Sequence, residues 1–184
     1  MRKEIMKINT ILWKAALAAA VMMSAQLFAA ESNTKENRGQ LGFRDYKFLK
    51  EAAHGGLMEL RLAEVAKQKA TSQAVRDFAQ SMITVHSKAN DELKQIAATK
   101  GAVVPSEMSH RENATIERFE KLSGREFDKE YAEHMVKDHK KDAKEFEDAV
   151  KDVSDPDLKA FAQKTLNVIQ QHLRSAQDME VAVK

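Results

Sequence analysis

The chain has 184 residues, 43% of them apolar and 32% charged, with 6 Gly, 2 Pro and no Cys. That length suits one ordinary domain with a short appendage, and so few Gly and Pro exclude a collagen-like or low-complexity chain. The lack of Cys excludes a disulfide framework, a thiolate nucleophile, Cys-based zinc or iron–sulfur sites and a lipidated cysteine anchor. Few turn-formers beside many Ala, Lys, Glu, Gln, Leu and Met point to long helices rather than short strands.

Residues 1–30 read as an address. Arg2, Lys3, Lys7 and Lys14 precede an uncharged run of 16 residues, Ala15 to Ala30, that closes on small residues before Glu31. Basic, then apolar, then small is the Sec-type signal-peptide pattern, so a cut after Ala29 or Ala30 and a periplasmic or secreted location are expected. The alternative, an uncleaved anchor, is disfavoured because a spanning helix wants about 20 apolar residues. Cleavage would remove four of the 30 basic residues and one of the 28 acidic ones, leaving 26 against 27. The net +2 therefore belongs to the precursor, and the mature chain has no basic excess with which to grip nucleic acid. No integral membrane span is expected after cleavage. An envelope partner or a second copy of the chain stays open.

Residues 31–42 are polar and aperiodic and are expected to form a flexible leader, with the domain over 43–184. From Phe43 to Ala70, Leu49, Ala52, Ala53, Gly56, Leu60 and Ala63 recur at helical spacing. Ser72 is the expected N-cap of a second helix striped by Val75, Ala79, Met82, Ala89, Leu93, Ile96 and Ala97. Gly101 suits the position just past its end. Pro105 forces an extended stretch before it, and Ser106 is expected to cap a shorter connector helix that Gly124 ends. A third long helix is expected from Glu126 to Val153, and Asp155 with Pro156 should open a fourth. Short turns at 70–72 and 153–156 make two antiparallel hairpins. The expected fold is all-α: an antiparallel four-helix bundle, ferritin-like, with a short connector helix between helices 2 and 3.

On a helical wheel, His86 and His172 fall within about 30° of the centre of their apolar stripes, His139 about 45° away and Glu59 about 60°. Glu59 is 12 residues before Thr71 and His86 is 15 after it; His139 is 15 before Ser154 and His172 is 18 after it. Each mismatch is three residues, about 4.5 Å at helical rise, so one polar layer could hold all four. Three imidazoles and a carboxylate suit a divalent transition metal such as iron, zinc or copper. Asp138, Asp142 and Tyr131 stand near as further ligands or acceptors. A hydrogen-bonded layer without metal is the competing reading. Burying so many polar groups costs stability unless they are paired.

His54 points away from its stripe, His110 lies on the connector and His134 sits at a stripe edge. The wheel therefore discards Glu51–His54 and Glu107–His110, whose spacing imitates the carboxylate–histidine pairs of di-iron bundles. The methionines do not form a Met-x-x-Met series and read as core filler. No phosphate loop, nucleophile elbow or His-Glu-x-x-His motif occurs, so no catalytic motif argues for an enzyme. Two function classes remain open: a metal-binding bundle (a carrier, or a redox or peroxide-handling protein) and a metal-free envelope or stress protein.

Several short segments carry a family resemblance. They are Gly55-Gly56-Leu57-Met58-Glu59 with Ala63, Phe78-Ala79-Gln80-Ser81-Met82 leading to His86, and Lys100-Gly101 with Pro105. Leu122-Ser123-Gly124 with Phe127-Asp128 and Tyr131 follows, then His139 with Phe146-Glu147, Leu158-Lys159, Phe161-Ala162 and His172-Leu173 with Ala176. In this order, from Phe43 to Ala176, the chain resembles the exported family called domain of unknown function 4142, whose members are often labelled "predicted outer membrane protein". The resemblance implies a ferritin-like fold and export, and Glu59, His86, His139 and His172 match its pattern. The chain departs from that pattern at Val85, where the family has Asp. The resemblance implies no particular chemistry.

Overall fold

A computed structural model describes residues 37–184; the expected signal peptide and the first half of the leader lie outside them. Five helices and no strand occur among the described residues: α1 Phe43–Lys69, α2 Gln73–Thr99, α3 His110–Lys121, α4 Gly124–Asp152 and α5 Pro156–Val183. The protein is all-α and forms a helical bundle. The closest packing is α1 on α2 and α4 on α5, with α2 also meeting α5, and α1 meeting α4 and α3. No described helix is long and apolar enough to cross a membrane.

The helix ends show which local signals act. At the end of α2, Gly101 takes φ +63°, and Gly101 N–H and Ala102 N–H donate to the carbonyls of Ala98 and Ala97. This is a Schellman closure, which a side chain at that φ would strain. Asp155 accepts from the amides of Asp157 and Leu158, with Pro156 in the first turn of α5. Ser72 is the N-cap residue of α2, but its side chain makes no cap bond. Asp128 of α4 instead holds the turn before it, accepting from the amides of Thr71 (3.0 Å) and Ser72 (2.8 Å) and from the Thr71 hydroxyl. Asp45 of α1 mirrors it, accepting from the amide of Ser154 at 2.7 Å. The α1–α2 turn and the α4–α5 turn are thus each sealed by a buried carboxylate from a helix distant in sequence, which satisfies donors that the turn leaves over.

Two expectations are corrected. The helix between α2 and α4 starts at His110, capped by Ser109 rather than Ser106. Ser109 and Glu112 form a reciprocal capping box, Ser109 N–H to Glu112 Oε2 at 2.5 Å and Glu112 N–H to Ser109 Oγ at 3.3 Å, which Ser106 has no Glu or Gln three residues on to match. Gly124 opens α4 instead of ending the preceding helix, which has already closed at Leu122. The end of the leader is also held: Gln40 N–H donates to Lys100 O, Val103 N–H donates to Asn37 O, and Leu41 is buried.

Two apolar clusters fill the interior. One gathers Leu62, Ala66, Val75, Phe78, Met82, Phe119, Phe127, Tyr131, Met135 and Met179 near the α1–α2 turn. The other gathers Phe48, Leu49, Leu93, Phe146, Leu158, Phe161 and Ile169 near the α4–α5 turn. The methionines Met82, Met135 and Met179 lie in the first cluster as core residues. Between the clusters sits a band of polar side chains.

Candidate metal centre

Glu59, His86, His139 and His172 come from α1, α2, α4 and α5, and each is at most 7% exposed. The three imidazoles converge: each offers a ring nitrogen lying within 4.8 Å of those of the other two. Their ring centroids are 5.6 Å apart for His86–His172 and His139–His172, and 6.4 Å for His86–His139. Glu59 reaches in from the side, with Oε2 3.2 Å from His86 Nδ1 and Oε1 3.7 Å from His139 Nε2. It also groups with Asp138 and Asp142, whose carboxylate oxygens lie within 4.8 Å of its own and of each other. Glu59 therefore joins an imidazole group to a carboxylate group.

Hydrogen bonding orients the rings. His139 Nδ1 lies 2.9 Å from the carbonyl of Met135, one turn back on α4. A carbonyl can only accept, so this nitrogen carries the proton and Nε2 keeps its lone pair. Glu59 Oε2 stands beside His86 Nδ1 and leaves Nε2 as the nitrogen of that ring without a partner. Four polar atoms then stand buried without a hydrogen-bond partner: His86 Nε2, His139 Nε2, His172 Nδ1 and Glu59 Oε1. Phe78 closes the apolar side, with its ring centroid 6.1 Å from that of His139 and 6.0 Å from that of His172.

The electrostatics follow from burial. Desolvation, helped by the neighbouring imidazoles of His172 and His139, holds His86 down at about 3. Desolvation and the nearby His172 hold His139 at about 4, against the donor bond to Met135, and burial lowers His172 too. All three rings are therefore neutral at pH 7 and present lone pairs rather than protons. Burial and the charges of Asp142 and Asp138 raise Glu59 well above the carboxylate range, and burial with Asp138 pushes Asp142 up to about 7. A dication beside these carboxyls would reverse that shift by favouring their charged forms.

Tyr131 stacks on Phe127 at 5.8 Å and packs edge-on to Phe78 and Phe119; its hydroxyl has no hydrogen-bond partner, and burial with the charge of Glu59 pushes its pKa up. His134 packs on Phe119 at 5.1 Å and His110 is exposed at the start of α3. His54 does not face open water: it is half-buried under α3, with Nδ1 3.3 Å from Glu112 Oε2. The wheel could not see this, because it reads α1 alone and takes no account of α3 packed on it.

Asn90 is the residue that sequence reasoning missed. One turn after His86, it is buried and donates from Nδ2 to Gly56 O at 3.1 Å. A Cβ on Gly56 would overlap Asn90 Oδ1, so glycine there permits the close approach of α1 and α2 beside the centre. The signal available was a Gly on the buried stripe three residues before Glu59.

Two solved structures share the fold. A DUF305 fragment from Deinococcus radiodurans aligns with TM-score 0.69 and 11% identity, covering 77% of this chain and 98% of its own. A DUF305 protein from Streptomyces coelicolor aligns with TM-score 0.66 and 11% identity, covering 76% of this chain and 92% of its own. At that identity the likeness speaks to the fold alone. No curated protein matches the sequence. The profile of the family described as "Domain of unknown function (DUF4142)" matches residues 30–179, which span the five helices almost to their end, and the chain belongs to that family.

Proposed function

We propose that this protein is an exported metal-binding bundle in which Glu59, His86, His139 and His172 hold one divalent transition-metal ion, with iron, zinc and copper as the candidates. The observation that carries this reading is that His86 Nε2, His139 Nε2, His172 Nδ1 and Glu59 Oε1, one atom from each long helix, are buried without a hydrogen-bond partner, while the three imidazoles offer ring nitrogens within 4.8 Å of one another. An unpaired buried polar group costs about 1–3 kcal/mol, and one ion among the three imidazoles would satisfy their nitrogens together, with Glu59 beside it as the fourth ligand. Neutral imidazoles with a carboxylate match the ligand preferences of these metals. His139 on Met135 O has the outer hydrogen bond that orients a metal-bound imidazole, and Glu59 Oε2 stands 3.2 Å from His86 Nδ1. Such an ion would supply Lewis acidity or, for iron or copper, redox capacity, suiting a carrier or a redox or peroxide-handling protein.

The fold we propose is the antiparallel, ferritin-like four-helix bundle, with α3 as its connector. Supporting it, contacts pair Gly56 with Asn90 and Glu59 with His86, Phe48 with Phe146 and Asp128 with Thr71, Glu92 with Lys164 and Lys100 with Asp155. Along each of these helix pairs one residue number falls as the other rises. Export rests on the basic, apolar and small-residue succession of residues 1–30.

The test is elemental analysis of protein purified without chelator, with anomalous scattering at the metal edge. One equivalent of metal, lost in His86→Ala, is expected. Sub-stoichiometric metal unchanged in His86→Ala would leave a metal-free envelope or stress protein in its place.

A further inference from the structure

The centre is not sealed. A cavity of about 350 Å³ runs from exposed Glu51, Lys141 and Glu145 inward to buried Glu59 and His86, while His139 and His172 do not line it. Its wall carries five acids: Glu51 and Glu59 from α1, Glu112 from α3, and Asp142 and Glu145 from α4. Against them stand a single lysine, Lys141, and His54, which is engaged with Glu112. A concave, low-dielectric wall of one sign focuses its field and raises the local concentration of the opposite charge. The mature chain is otherwise close to neutral, so this concentration of acids is local. Phe48, Phe146 and Phe161 line the cavity too, an apolar wall that strengthens the acids' pull.

Lys141 sits across the outer half. Its Nζ is 3.0 Å from Glu145 Oε1 and 3.7 Å from Asp142 Oδ1, and its side chain is 63% exposed, so it can swing out into water. A tethered ammonium on the acids that line the way in occupies the ground an incoming cation must cross.

We propose that this cavity is the route by which divalent cations reach the histidine centre, and that Lys141 is a displaceable charge gate on it. This rests on the reading of the four-residue layer as a metal site and adds how that site is loaded. Glu51 and Glu145 draw the ion in, Asp142 takes it as Lys141 swings aside, and Glu59, shared between the carboxylate and imidazole groups, passes it to His86.

The experiment is stopped-flow mixing of Co²⁺ with the purified metal-free protein, followed by the ligand-field absorption of the bound ion, alongside an equilibrium titration. Lys141→Met should speed association at least about threefold at low salt, and Glu51→Gln with Glu145→Gln should slow it by a similar factor. All three should keep the wild-type stoichiometry of one. Lys129→Met, exposed and outside the cavity, should leave the rate unchanged. Raising the salt to 0.15 M, where the Debye length is about 8 Å, should shrink these differences. If Co²⁺ binds at one equivalent but the Lys141 and acid variants load at the wild-type rate, or Lys129→Met changes it equally, the route is wrong and the site stands. If no Co²⁺ binds at equilibrium, both the site and the route fall.

Discussion

Leu62 on α1 and His139 on α4 are equally hidden, each at 0% exposure, yet their neighbourhoods follow opposite rules. Around Leu62 the contacts are Ala, Val, Phe, Met and Tyr side chains that gain from leaving water and ask for no partner. Around His139 three other polar side chains from three other helices are buried with acceptor atoms left over. The apolar clusters on either side supply the stability, and the polar band between them draws on it. A bundle that only had to fold would close this band with leucine. The proposed ion would account for a band kept polar at this cost.

That contrast can be tested from its strong end downward. Leu62→Ala removes buried methyl groups from the cluster near the α1–α2 turn and should cost about 2–5 kcal/mol in urea unfolding. A loss well below 1 kcal/mol would mean that the cluster is looser than described. Next, adding Zn²⁺ at 100 times its dissociation constant should stabilise the protein by about 2.7 kcal/mol. The rise in melting temperature should vanish on chelation and be absent in His139→Ala; an equal rise in that variant would place the ion elsewhere.

Gly56→Ala should cost about 1–3 kcal/mol, the usual size for overpacking, as the new methyl group drives Asn90 aside. It should also weaken Zn²⁺ binding, since Gly56 and Asn90 flank the Glu59–His86 contact. Unchanged stability and affinity would show that the helix approach there is slack. In the metal-free protein, His86→Leu should be neutral or stabilising to within about 1 kcal/mol, because an unsatisfied polar atom leaves a buried site. A large destabilisation would show that the layer is held by its own hydrogen bonds rather than kept for a ligand.

The smallest effect is in pH. His86 and His139 lie at about 3 and about 4 when folded, against 6.5 for a free imidazole, so between pH 4 and 6.5 the unfolded chain holds more protons on them. Their contribution to stability is therefore lost as pH falls through this window. Asp142, raised from 3.8 to about 7, acts with the opposite sign: the folded chain holds the extra proton, and stability falls as pH rises from 4 to 7. The two partly cancel in the native sequence. Asp142→Asn removes the opposing contribution, so thermal melts of this variant should climb more steeply from pH 4 to 6.5 than those of the native protein. Equal slopes would refute the assignment.

Much of this was legible in the amino-acid sequence because it is governed by local rules. Helix extents follow from 3.6-residue periodicity and from caps that act within a few residues, as with Gly101 and with Asp155 before Pro156. The burial of Glu59, His86, His139 and His172 on four helices follows from the same periodicity, and their common depth from counting back to short turns. Where two local signals competed, the fuller one won: Ser109 displaced Ser106 because it alone has a Glu three residues on, and Glu112 also meets His54 across the α1–α3 contact. Only tertiary structure could set Asp45 and Asp128 on turns more than 50 residues away, or cover His54 with α3. It alone decided that Glu59 stands between imidazoles and carboxylates, and that an acid-lined cavity leads to it. Periodicity tells which side of a helix faces inward, but what a side chain meets there depends on helices that the chain reaches only after it has turned back on itself.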